Sequence, residues 1–232
     1  MSQLLSIDHT DYTNMSLAQY ANDPVDYYIN GELLEELVIP AEVGAVSSVL
    51  VGCDSIKKIT CLNPDMTLAR GAFGYCVNLE QVILPENLTD YNGYCEHCPR
   101  LKELILPDGV VALPLMSLYG MHDLIHIHLG AATEYKDKCG SADSAENLLY
   151  FTVSPENPYY AVDEQGVLYN KDYTKIIQYP IGKTAKIYET PSTVKIIGDY
   201  ALAGAINLRK IVFGDTVTTL GAKCCDGCTN LL

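Results

Sequence analysis

Leu101-Lys102-Glu103-Leu104-Ile105-Leu106 sets three leucines at the spacing L-x-x-L-x-L. Its last positions alternate, as a strand does when every second side chain enters a core. The same spacing opens at Leu34, Ile56, Leu79, Leu124, Leu148 and Leu208, and is begun again at Leu231. The openings step by 22, 23, 22, 23, 24, 60 and 23 residues. The step of 60 holds one repeat and an insertion. A short unit repeated at this period cannot bury its own apolar face, so neighbouring copies must stack and share one core.

The period lies in the range of leucine-rich repeats. After each strand comes a Pro or Gly and then an apolar pair: Val43 and Val46, Leu88 and Tyr91, Val110 and Leu113, Val194 and Ile197, Val217 and Leu220. These pairs predict a second short extended segment per repeat, followed by a compact turn or short helix. The expected fold is therefore a β-rich solenoid of repeats of about 23 residues.

The copies agree in more than spacing. Glu36 to Pro40 (ELVIP), Gln81 to Leu88 (QVILPENL) and Thr193 to Leu208 (TVKIIGDYALAGAINL) resemble the BspA-like leucine-rich repeats. The resemblance covers about residues 30 to 232 and implies a bacterial cell-surface or host-adhesive role, acting through protein partners. Repeat five (IHIHLGAATEYKDKCGSADSAENL) lacks the Pro and Phe of the pattern and is expected to be locally irregular.

The insertion, about residues 155 to 190 in the sixth repeat, reads as a β-hairpin. Val167 to Asn170 and Lys175 to Tyr179 are β-rich, and Lys171 to Thr174 would turn between them. Residues 1 to 29 are polar and acidic and are expected to cap the first repeat or to act as a linker. They lack the basic and apolar regions of a signal peptide, which weighs against export of this chain as it stands. At the other end the chain stops one residue into a new repeat. That end is expected to fray, to continue into a longer array, or to bury itself end to end against a second copy.

Composition narrows the partners. The formal charge is −14, and no Lys or Arg precedes Lys57. Duplex binding needs clustered cations, so nucleic acid is not expected. No apolar run approaches the length of a membrane span. The motifs G-x-S-x-G, Walker A, H-E-x-x-H and the EF-hand loop do not occur, and no enzyme or cofactor is expected.

Nine cysteines include Cys95-x-x-Cys98 and Cys225-x-x-Cys228, a spacing that invites zinc or redox chemistry. The repeat register points to packing instead. Three residues before each opening stand Cys53, Cys76, Cys98, Met121, Ala145, Ala205 and Cys228. Three earlier stand Leu50, Phe73, Cys95, Leu118, Ala142, Leu202 and Cys225. Both are core columns, where a thiol serves as a small hydrophobe. No metal site is expected.

The binding surface should lie where side chains leave the core, on the concave sheet. The third position of the repeat reads Glu36, Lys58, Gln81, Glu103, His126, Tyr150 and Lys210. The fifth reads Val38, Thr60, Ile83, Ile105, His128, Thr152 and Val212. The β-branched residues of the fifth column suit sheet propensity on a solvated face, and an apolar strip with a charged rim also suits a protein partner. His126-x-His128 would aim both imidazoles the same way, with Glu103 and Tyr150 as cross-rung neighbours; a partner contact, a metal and plain solvated residues all fit that pattern. The insertion concentrates tyrosines at Tyr159, Tyr160, Tyr169, Tyr173 and Tyr179, which serve packing or recognition. An intracellular scaffold or a segment of a longer array is the alternative to an adhesive role.

Overall fold

The computed structural model describes residues 28–29, 31–113, 118–135 and 145–232. The N-terminal segment expected to cap the stack lies almost wholly outside them, as do residues 136–144 of repeat five, the repeat expected to be irregular. The chain forms a parallel β-solenoid. Its front file of strands is Glu36–Ile39, Lys58–Cys61, Gln81–Ile83, Glu103–Ile105, His126–Leu129, Tyr150–Val153, Ile187–Glu189 and Lys210–Val212. These are the strands that the L-x-x-L-x-L spacing predicts, with Ile187–Glu189 added by a rung that opens at Ala185 and lacks the leucine signature.

The registers follow from the repeat length. Leu37 pairs with Ile59, and Ile59 with Val82. Leu104 pairs with Ile127, and Ile127 with Phe151. Each of these inward residues is buried, so successive rungs stack like on like. The first three front strands and the next three form two ladders that abut between Ile83 and Ile105, where the Lys102 N–H still bonds the Glu80 carbonyl at 3.2 Å. Along the strand entry Glu35 pairs with Lys57 at 2.7 Å, and Glu80 with Lys102. All four side chains are solvated, so these pairs align charge without adding much stability.

A back file matches the second segment of each repeat: Ala45–Val46, Thr67–Leu68, Ala112–Leu113, Glu134–Tyr135, Ile196–Ile197 and Thr219–Leu220. The third rung departs from this. Leu88 and Tyr91 are buried as expected, yet their segment forms no strand; Thr89 still accepts the Val111 N–H at 3.1 Å.

Among the described residues both cysteine columns are in the core; Ala142 of the second column lies outside them. Cys53, Cys76, Cys95, Cys98, Met121, Ala145 and Ala205 are all buried, and Cys225 is half-buried. Burial raises the Cys53 thiol and pushes Cys61 up to about 12, which keeps both in the unreactive protonated form. Among the described residues no group of His, Cys, Asp or Glu is placed to hold a metal ion. Nor is any helix among them long and apolar enough to cross a membrane.

The insertion adds to the back file alone. Leu168–Asn170 pairs antiparallel with Lys175–Gln178, and on its other edge with Tyr160–Val162. The last of these strands is absent from the sequence reading. Lys175–Gln178 then pairs in parallel with Ile196–Ile197. The Tyr160 hydroxyl reaches the backbone of Tyr135, so the inserted strands follow directly on the fifth rung. Between the fifth and seventh rungs the back thus holds three strands among the described residues where the front holds one, Tyr150–Val153. The apolar core divides at the same place: one cluster runs from Leu37 to Phe151 and takes in Leu168, and the other runs from Val167 to Cys228.

Candidate functional site

The front sheet carries the residues singled out in the sequence, and its register brings them together in two rows. Glu36, Lys58 and Gln81 are cross-rung neighbours, as are Glu103, His126 and Tyr150. Val38, Thr60 and Ile83 form the adjacent row, continued by Ile105, His128 and Thr152. Alternation along each strand forces these side chains outward, because their neighbours fill the core. Val38, Ile83 and Ile105 are 39%, 44% and 42% exposed. Lys210 and Val212 belong to the last ladder, which pairs only with Ile187–Glu189, so they are set apart from the other rows.

His126 and His128 are the most organised part of the face. The His126 ring stacks on Tyr150, with centroids 4.4 Å apart and planes 18° from parallel. Its Nδ1 lies 3.3 Å from Glu103 Oε1, and its Nε2 lies 2.7 Å from Thr152 Oγ1. His128 Nδ1 meets the same Thr152 oxygen at 2.8 Å. With both imidazoles neutral, one proton order satisfies all three contacts. His128 Nδ1–H donates to Thr152, the Thr152 hydroxyl donates to His126 Nε2, and His126 Nδ1–H donates to Glu103.

Burial holds both imidazoles below their ordinary pKa. For His126 the hydrogen bond and charge of Glu103 oppose that shift in part. For His128 the neighbouring His126 adds to it, while Asp108 opposes it. The carboxylate–imidazole–hydroxyl order is one that nucleophilic enzymes use. Here a second imidazole N–H draws on the Thr152 oxygen, which weakens the lone pair that an attack would need. The arrangement fixes ring positions and presents a small polar cluster beside an apolar row.

The pairing of His126 with Glu103 and Tyr150 follows from the repeat register. The bridging role of Thr152 was not foreseen. It could have been, since Thr152 is the cross-rung neighbour of His128 in the fifth column and one step diagonal to His126. A further cluster escaped the sequence reading altogether. Tyr75 stacks on His97 at 4.4 Å, and His97 meets the edge of Tyr119 at 4.8 Å. Tyr75 and His97 both adopt left-handed backbone, with φ of 60° and 59°. Glycine holds that turn position in neighbouring rungs, at Gly52 and Gly120.

A cleft of about 980 Å³ opens at the end of this face. One wall is the strand Tyr150–Val153 with Ser154; the other is Tyr160–Gly166 with Lys183–Ala185.

Two solved structures share the fold. A leucine-rich repeat protein from Eubacterium ventriosum superposes with a TM-score of 0.57 at 22% identity, over 85% of this chain. The present chain spans 65% of the length of that protein. A leucine-rich cell surface protein from Faecalibacterium prausnitzii gives a TM-score of 0.52 at 19% identity, covering 90% of this chain and 67% of that one. No curated protein matches the chain. The family model for the BspA type leucine rich repeat region matches six copies, over residues 26–141 and 181–232. With the repeat register, the stacked parallel rungs and this match in agreement, the chain belongs to the BspA-type leucine-rich repeat family.

Proposed function

We propose that the chain is a protein-binding module of a bacterial cell-surface repeat protein, and that its partner lies on the front sheet. One observation carries this reading: Val38, Ile83 and Ile105 are large apolar residues that stay exposed and are aligned in one continuous row. The row leads into the ordered His126, Tyr150 and Thr152 cluster. Lys58, Gln81 and Glu103 rim it with mixed charge. An apolar centre with a polar rim is the usual anatomy of a protein interface. The surface location is supported by the Faecalibacterium relative, whose own description is that of a cell surface protein.

The test is a double substitution, Ile83→Lys with Ile105→Lys. Both side chains are solvated, so the fold should survive, with an unchanged circular dichroism spectrum. Capture of partners from the surface proteins of a host epithelial cell should fall at least tenfold. Normal capture by a folded double variant would remove the front sheet as the binding face.

A further inference from the structure

We propose that a pocket beside Ile105 and His128, at the margin of the front sheet, holds an arginine side chain of the partner protein. This rests on the front sheet being the binding face, and names the chemistry which that face selects.

The pocket has a volume of about 500 Å³, and Ile105, Leu106 and Pro107 form its apolar side. Glu86, Asn87, Asp108 and His128 bring the polar side chains to it. It is continuous with the exposed row, because Ile105 belongs to both and His128 is the cross-rung neighbour of Ile105.

Hydrogen-bond valence shows what the pocket lacks. Asn87 Nδ2 donates to Asp65 Oδ1 at 2.7 Å, which leaves Asn87 Oδ1 as an acceptor. Asp108 Oδ1 accepts from the Ala131 N–H at 2.8 Å, and Asp108 Oδ2 has no bond among the described residues. Glu86 is exposed, and among the described residues no Lys or Arg pairs with it or with Asp108. At the strand entry, by contrast, Glu35 meets Lys57 and Glu80 meets Lys102.

His128 completes the set through its proton order. A carboxylate can only accept, so Glu103 requires a proton on His126 Nδ1. His126 Nε2 then accepts from the Thr152 hydroxyl, and that hydroxyl oxygen accepts from His128 Nδ1–H. His128 Nε2 is thereby left as a bare lone pair. Burial and the neighbouring His126 hold this imidazole below its ordinary pKa, so it stays neutral at pH 7.

Each polar side chain of the pocket therefore still offers an acceptor. A charged side chain that donates and never accepts is Lys or Arg. Guanidinium fits better than ammonium, because its planar fork of N–H groups reaches several acceptors at once. It is also the less hydrated cation, and its methylene stem can lie along Ile105 and Pro107. The formal charge of −14 favours approach of a basic partner over a longer range.

The test uses the whole protein, isotope-labelled for NMR, and the end-blocked peptide Ser-Ile-Arg-Ile-Ser. In the free protein at neutral pH, the imidazole nitrogen shifts of His128 should report a protonated Nδ1 and a bare Nε2. Titration with the peptide should move the Ile105 methyl and His128 ring signals saturably. Citrulline in place of arginine, a neutral isostere, should weaken binding at least tenfold, and lysine should weaken it at least threefold. Glu86→Gln with Asp108→Asn should also weaken it at least tenfold. Both side chains are solvated, so the circular dichroism spectrum should be unchanged. Thr152→Val should release the tautomer, altering the His128 nitrogen shifts and weakening binding. No saturable shift, a protonated Nε2 in the free protein, or equal binding of the citrulline or lysine peptide would overturn the proposal. Capture of epithelial surface proteins separates the pocket from the wider front face. Loss of capture in the Glu86→Gln, Asp108→Asn variant supports the pocket. Normal capture by that variant, with loss in Ile83→Lys, Ile105→Lys, keeps the front face and overturns the pocket. Normal capture by both removes the two together.

Discussion

The Cys98 thiol donates to the carbonyl of Phe73, 3.1 Å away and one rung earlier in the stack. Cys76 does the same to Leu50 at 3.1 Å, and Cys228 to Leu202 at 3.0 Å. The cysteine column is thus a ladder of weak donors, each closing a buried carbonyl of the preceding turn. Removing the donor should cost more than removing the sulfur volume alone. Cys98→Val is expected to destabilise the protein by about 1–3 kcal/mol, the penalty for an unpaired buried acceptor. Cys98→Ser, which keeps a donor, should cost less in urea denaturation. Equal losses would mean that the column selects for size only. In the native protein, thiol reagents should leave Cys53, Cys76 and Cys98 unmodified.

Tyr75 is a bulky residue in left-handed backbone, a conformation that costs a non-glycine residue roughly 1–2 kcal/mol. Its stack on His97 returns about 0.5–1.5 kcal/mol. A glycine at this position relieves the strain, loses the stack and adds chain entropy to the unfolded state. Tyr75→Gly should therefore be neutral to within about 1 kcal/mol. Tyr75→Val loses the stack and keeps the strain, made worse by β-branching, and should cost about 2 kcal/mol or more. Thermal denaturation of the two variants separates these cases, and a Val variant as stable as the Gly variant would refute the account.

Gly166 has φ of +76°, and a Cβ there would stand 2.3 Å from Tyr150 Cβ and 2.8 Å from its Cα. Neither neighbour can yield, because Tyr150 sits in the front strand. Gly166→Ala should push the turn away from the strand and break the bond from Phe151 N–H to the Gly166 carbonyl. The loss is expected to be about 2 kcal/mol or more. Hydrogen exchange at Phe151 should quicken while that at Ile127 stays slow; unchanged exchange at Phe151 would count against this contact.

Acidification should loosen the front sheet. Burial lowers the pKa of His126 and His128, and also that of His97. A histidine depressed in the folded state is protonated more readily in the unfolded one. Its contribution is therefore complete above the unfolded pKa of about 6.5 and erodes as pH falls through that value. The melting temperature should drop from pH 7 toward pH 5. The drop should be shallower in a His126→Gln, His128→Gln double variant. Glu103 facing His126 and Asp108 facing His128 oppose the effect, and a melting temperature that rose on acidification would show these carboxylates outweighing burial.

Most of the front file could be read from sequence because its signal is local. Leu104, Ile127 and Phe151 are spaced by the repeat length, and a strand must alternate, so the rows Glu103–His126–Tyr150 and Ile105–His128–Thr152 follow directly. The rung of Tyr188 was harder to see: it opens with Ala185, and its signature is one residue in three. Tyr160–Val162 was invisible because its burial depends on pairing with Leu168–Asn170, a contact made within the insertion and outside any repeat. Left-handed backbone at Tyr75 and His97 was hidden for a related reason. The residue type argues against it, and only the glycines in the same column of other rungs hint at the turn.

The uneven insertion bears on how the protein unfolds. In a stack held by nearest-neighbour contacts, cooperativity passes from turn to turn only as well as each junction allows. The junction after Tyr150–Val153 has no front pairing to the next rung, and the apolar core changes from one cluster to the other across it. Denaturation should therefore proceed in two separable transitions: rungs seven and eight, with the smaller core, melt first and leave the six-rung block from Leu37 to Phe151 as an independently cooperative unit.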